Sequence, residues 1–115
     1  MQNQVASFVN YIHVERGLAA NTVEAYRRDL GKFARYCQAR KLDPARVERT
    51  HIVDFLGQLY KQGLDARSVA RQLVSLRAFY RFLLEEDSIA ADPTAHLESP
   101  RLWKRHARPA IATSD

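Results

Sequence analysis

The chain has 115 residues, 46% of them apolar and 27% charged, and its 18 lysines and arginines against 13 acids give a formal net charge of +5. A chain of this length buries about two-thirds of its unfolded surface, which is enough for one self-contained core, and its apolar fraction is too high for disorder. Cys37 is the only cysteine, so an intramolecular disulfide scaffold is excluded; no apolar run approaches the roughly 20 residues of a membrane span, and the N-terminus lacks the basic flank and apolar segment of a signal peptide. The expectation is a soluble, cytoplasmic domain.

The periodicity is helical throughout, with no alternating β-branched runs and no Asn-Gly or Asp-Gly hairpin turn, which predicts an all-α fold. Val5, Phe8, Val9 and Ile12 form an apolar stripe over residues 2–16 that ends at Gly17, a suitable C-cap. A second helix of about 20 residues and about 30 Å runs from Ala20 to Arg40 on Val23, Tyr26, Leu30, Phe33 and Cys37. Lys41-Leu42-Asp43-Pro44 breaks it. Thr50 is the expected N-cap of a third helix carrying Ile52, Phe55, Leu56 and Leu59, which Gly63 ends. Asp65 caps a fourth helix, whose buried stripe is Val69, Leu73, Leu76, Tyr80, Leu83 and Leu84 as far as Glu86. Asp92-Pro93 starts a last short turn of helix, and Ser99-Pro100 closes a globular part of residues 1–100; residues 101–115 read as a basic linker.

The positive charge is unevenly placed: residues 19–41 carry a net +4 and residues 101–115 a net +3. On the second helix Arg28, Lys32 and Arg35 fall opposite the apolar sector, sharing their face with Asn21 and Ala25. A solvated helix face ordinarily interleaves opposite charges at i,i+4. Here only cations and small residues recur, a self-repelling pattern that nucleic-acid phosphates compensate through counterion release. The outer face predicted for the fourth helix carries Arg67, Arg71, Val74, Ser75 and Ala78, with Ser68 at its edge either as a donor to DNA or as a local cap hydroxyl. Small side chains let a backbone approach a groove, and arginine offers a bidentate fork. His13, His51, His96 and His106 are isolated, no metal-ligand spacing occurs, and there is no glycine-rich phosphate loop or paired-carboxylate spacing, so neither cofactor nor metal is expected.

The run Glu15-Arg16-Gly17-Leu18-Ala19-Ala20-Asn21-Thr22 with Tyr26, Asp29-Leu30 and Phe33, then Ser68-Val69-Ala70-Arg71 with Leu73, Ser75, Leu76, Arg77, Phe79 and Tyr80, followed by Asp92-Pro93 and Ser99-Pro100-Arg101, resembles the tyrosine recombinases or phage-type integrases, and within them the core-binding domain of the bacterial Xer type. The resemblance covers nearly the whole chain. It implies a four-helix orthogonal, SAM-like domain that lies on one face of a double-stranded DNA recombination site while a separate catalytic domain closes on the other.

Carried over by position, the resemblance implies that Asn21, Thr22, Ala25 and Arg28 on the second helix, and Arg67, Ser68 and Arg71 on the fourth, contact the major groove and its phosphates. Ser75 shares the fourth-helix face, Lys32 and Arg35 add phosphate contacts, and Arg101, Lys104 and Arg105 do so from the linker. Arg77 matches a family position but lies beside the core edge, as a structural residue or a phosphate contact. Ala19-Ala20 departs from the family's cap and proline, which weakens the start of the second helix.

The family's catalytic tyrosine, Arg, Lys and His would lie beyond residue 115, and His13-Val14-Glu15-Arg16 only imitates the catalytic His-x-x-Arg spacing. The expectation is DNA binding without catalysis by this chain, as a monomer, in a parent that forms a tetramer on DNA. Two alternatives stay open on sequence: a helix-turn-helix regulator built on the third and fourth helices, and a helical domain whose basic face docks an acidic protein.

Overall fold

In a computed structural model, which describes residues 2–97, four helices account for most of the described residues, and no strand occurs among them. Helix α1 spans Gln2–Asn10 and widens into a π turn at Tyr11–Glu15; α2 spans Ala20–Ala39, α3 Arg49–Lys61 and α4 Ala66–Glu85. The widened turn ends in the bond from Arg16 N–H to the Tyr11 carbonyl, 3.1 Å. A single 3-10 turn, Pro44–Arg46, interrupts the α2–α3 connection where only a loop was expected; the Asp43 carboxylate holds it by accepting the Ala45 N–H at 2.9 Å.

All four helices stop by one device. The second residue after each helix takes a left-handed conformation, at Gly17 (φ 64°), Lys41 (53°), Gly63 (103°) and Asp87 (59°), and the following N–H folds back onto a carbonyl of the last turn. Leu42 bonds Cys37, Leu64 bonds Leu59 and Ser88 bonds Leu83 at 2.9–3.1 Å, satisfying carbonyls that the helices cannot satisfy internally. The starts differ. Asp65 caps α4 as predicted, accepting the Ser68 N–H at 2.9 Å, whereas α2 opens at Ala19 with no side-chain cap bond. Helix α3 starts at Arg49, one residue before the predicted cap Thr50. Glu48 is its N-cap because the His51 ring reaches back, Nδ1 accepting the Glu48 N–H at 2.9 Å.

Helix α4 is the centre of the packing: α1, α2 and α3 all lie against it, and α1 also lies against α2. Two aromatic clusters meet on it. Phe8 of α1 sits edge-on to Tyr26 and Phe79 and tilted against Phe82, at 5.6–5.8 Å, while Phe33 of α2 packs on Phe55 and Tyr80 at 5.2 and 6.2 Å. The adjacent Phe79 and Tyr80, 5.1 Å apart, join the two clusters. Tyr80 is fully buried, and its hydroxyl donates to the Pro44 carbonyl at 2.8 Å, which ties the 3-10 turn to the core. The predicted stripes are buried with two exceptions. Tyr26 is half-buried, and Leu84, expected inside, is 39% exposed because it falls past the edge of α4's inward sector, where Phe79 and Phe82 fill the core instead. At Asp92 the chain makes a turn but not the expected helical one: no helix follows α4 among the described residues, and the Asp92 carboxylate accepts the Thr94 N–H and hydroxyl. Ser99-Pro100 and the linker 101–115 lie outside the described residues. No described helix is long and apolar enough to cross a membrane.

Candidate nucleic-acid interface

Helix α2 sorts its charges by neighbour. Glu24 pairs with Arg27 at 3.0 Å, and Asp29 is taken by α4. Arg40, at the helix end, lies 3.9 Å over the Tyr36 ring and 3.5 Å from Asp54 of α3. Tyr36 completes that clamp by donating its hydroxyl to Asp54 at 2.8 Å; burial first, and then the Asp54 bond, push its phenol up to about 12. Arg28, Lys32 and Arg35 remain, without an acidic partner among the described residues: Arg28 and Arg35 are exposed and Lys32 is half-buried. Asn21 and Thr22 are exposed at the start of the helix, and Ala25 is half-buried one turn later. Lys32 and Arg35 also border an open cavity of about 340 Å³ between α2 and α3, whose far wall includes Phe55, Gln58 and Gln62.

On α4, Arg67 is exposed and without an acidic partner among the described residues, and Val74 is 53% exposed. Ser68 is half-buried; its backbone N–H, at the third position of the helix, makes the cap bond to Asp65. Ser75 does not belong to the outer face on which periodicity placed it. It is 3% exposed and its hydroxyl donates to Asp29 at 2.8 Å, so it points into the α2–α4 seam. The apolar arc of α4 is wide enough to take in that position, which an average of 100° per residue had put just outside it.

Arg71 is also engaged. Its Nε and Nη2 donate to the two oxygens of Asp29 at 3.2 and 2.9 Å, and Gln72 adds a bond from its amide at 3.3 Å. Asp29 is 1% exposed while the Arg71 side chain remains half in water, so the guanidinium closes the seam from outside. The carboxylate bonds hold the guanidinium's pKa above its ordinary value. This pairing fixes the relation of the two faces. Ala25 and Lys32 flank Asp29 on α2, so the exposed arginine of α4 lies against the basic flank of α2, and the two faces adjoin. Arg77, left open between two roles, donates Nη2 to the Leu97 carbonyl at 2.6 Å and pins the segment that follows α4. Arg101, Lys104 and Arg105 lie outside the described residues.

Sequence reasoning did not single out Asp29 and Gln72, which join Arg71 and Ser75 in the α2–α4 seam, nor the exposed Arg81. Arg81 is exposed seven residues beyond Val74, a spacing of two turns that the sequence displays. Among the described residues no group of three metal-ligating side chains converges.

The phage integrase N-terminal SAM-like domain pattern matches residues 5–87. The chain belongs to that family. It is 40% identical over 103 residues to a tyrosine recombinase XerD of Listeria monocytogenes serotype 4b, covering 88% of this chain and 35% of that protein. It is 38% identical over 106 residues to a tyrosine recombinase XerD of Staphylococcus haemolyticus, covering 91% and 36%. This integrase-type domain thus spans about a third of the length of the curated relatives it matches. The matched span contains the whole of α2, α3 and α4, and with them every described residue of the basic surface.

Proposed function

We propose that this domain binds double-stranded DNA at a recombination site, as the DNA-binding part of a site-specific tyrosine recombinase of the Xer type that acts in chromosome dimer resolution. The observation that carries the reading is the unopposed run Arg28, Lys32 and Arg35 on α2, joined at Asp29 and Arg71 to the outer face of α4 with Arg67. A surface of this kind gains from phosphates what solvent cannot give it, because each neutralised phosphate releases counterions. Asn21, Thr22, Ala25 and Ser68, towards the N-terminal ends of the two helices, are small enough for close approach to a groove, and Asn21, Thr22 and Ser68 supply polar atoms for base edges. Arg28, Lys32, Arg35 and Arg67 hold the backbone, with Arg101, Lys104 and Arg105 extending the contact. The chain binds as a monomer, the parent assembles as a tetramer on DNA, and strand cleavage belongs to residues outside this sequence.

The test is fluorescence anisotropy with a labelled duplex across a salt series. With about five phosphates neutralised, log affinity falls against log salt with a slope of roughly −4.5. Arg28→Glu/Lys32→Glu/Arg35→Glu abolishes binding, and duplex DNA is preferred over heparin. A flat salt response overturns the reading. A triple variant that is only weakened would transfer recognition to a helix-turn-helix formed by α3 and α4, and indifference between DNA and heparin would point to an acidic protein partner.

A further inference from the structure

We infer that Asp29 is a positioning residue that sets Arg71 to read a guanine, so that this pair supplies base selectivity and the unopposed cations supply affinity; the inference rests on the DNA-binding reading above. Four observations support it. Asp29 is buried and fixed from three directions, by Ser75, Gln72 and Arg71, whereas Arg71 is half-exposed. The carboxylate takes Nε and Nη2, which leaves Nη1 without a partner among the described residues and the outer edge of the fork free. That edge, two parallel N–H groups in one plane, matches the O6 and N7 acceptors of guanine in the major groove.

The charge balance gives the pair a different task from its neighbours. One buried negative charge cancels the charge of Arg71, so Arg71 adds little to phosphate attraction, while Arg28, Lys32 and Arg35 have no such counterweight. A guanidinium aimed at a phosphate gains from being free and uncompensated. One aimed at a base edge gains from being held, since the rotamer freedom it would lose on binding is already given up in the free domain. Arg67, Arg71 and Val74 are exposed, and no acidic residue lies between them on α4, so no carboxylate on that stretch of the helix repels the duplex.

The experiment is selection from a randomised duplex pool by the 115-residue chain, followed by affinity measurements on the selected duplex and on one with 7-deazaguanine at the preferred guanine. The wild-type chain favours guanine at one position by about tenfold, the range of a good bidentate contact, and 7-deazaguanine removes that preference. Asp29→Asn, nearly isosteric, loses the guanine preference yet binds unselected DNA at least as tightly, with a salt slope steeper by about 0.9 because the released Arg71 becomes a phosphate contact. A merely structural Asp29 would weaken binding to all sequences alike. Arg71→Lys keeps a positive charge beside Asp29 but lacks the fork, and it also loses the preference.

Unchanged selectivity in either variant overturns the inference, as does a uniform loss across sequences. Absence of any duplex binding by the wild-type chain would overturn the DNA-binding reading itself, and this inference with it. Duplex binding without an Arg71-dependent guanine overturns the inference alone.

Discussion

Removing Arg71 should destabilise the fold far more than its half-exposed position suggests. The substitution Arg71→Ala leaves Asp29, 1% exposed, with only the Ser75 hydroxyl and the Gln72 amide as donors. A buried carboxylate stripped of its cation costs about 3–5 kcal/mol in a fully enclosed pair. Here the guanidinium side of the pair faces water, which can follow the truncated side chain inward, so about 2–3 kcal/mol is expected once that screening is allowed for. Asp29→Ala removes the charge but strands the Ser75 and Gln72 donors, at about 1–3 kcal/mol for each group that finds no new partner. Arg71 itself then swings into solvent at little cost.

The two losses are therefore not additive. Once Asp29 is gone, Arg71→Ala should cost almost nothing, giving a coupling energy of about 2 kcal/mol in a double-mutant cycle. Urea unfolding of the four proteins followed by circular dichroism measures it. For a domain near this size the Arg71→Ala change corresponds to a melting temperature lower by about 10 °C or more. A coupling below about 0.5 kcal/mol, the additivity expected of independent sites, would refute the view that α2 and α4 are locked through this pair.

Tyr80→Phe removes the bond to the buried Pro44 carbonyl and should cost about 1–2 kcal/mol in the same unfolding assay, with no change in DNA affinity. Ala19→Ser supplies the missing cap of α2 and should stabilise the domain by about 1 kcal/mol; no gain would mean that tertiary packing already fixes that helix start. Alkaline stability should fall early. Burial raises the Cys37 thiol to about 12 and the Tyr36 phenol to about 12, and raises Tyr80 further, so above pH 9 to 10 the unfolded chain releases protons that the folded chain retains. The unfolded state then binds fewer protons, and stability drops by about 1.4 kcal/mol per pH unit for each such group. Denaturation midpoints at pH 8, 9.5 and 10.5 check this, and Cys37→Ala should flatten the decline between pH 9 and 10.

How much of this could be read from the sequence depends on how local the cause is. The four helices, the caps at Gly17, Gly63 and Asp65 and most core positions follow from spacing, because burial of one stripe and the conformational freedom of glycine act over a few residues. Lys41 and Asp87 end their helices in the same left-handed geometry without a glycine, so nothing in their identity announces it. The outward basic run on α2 was legible for the same reason as the core: cations at three and four residues apart share a face. What the sequence concealed was the pairing between helices. Asp29 and Ser75 are polar, and by periodicity alone each looks like surface; only the approach of α4 to α2 turns them into a buried network and engages Arg71. The misplacement of Thr50 as a cap has a similar origin, since His51 accepts from Glu48 through a side chain that propensities do not rank as a capping group.

The central claim is that the adjoining outer faces of α2 and α4 form the surface that meets duplex DNA. Amide and side-chain chemical-shift mapping of the labelled chain, titrated with a short duplex at low salt, tests it directly. The largest shifts should fall on Asn21 to Arg35 and on Arg67 to Ala78 and should vanish at high salt. Shifts concentrated instead on α1 and α3, with those two faces unmoved, would contradict the account.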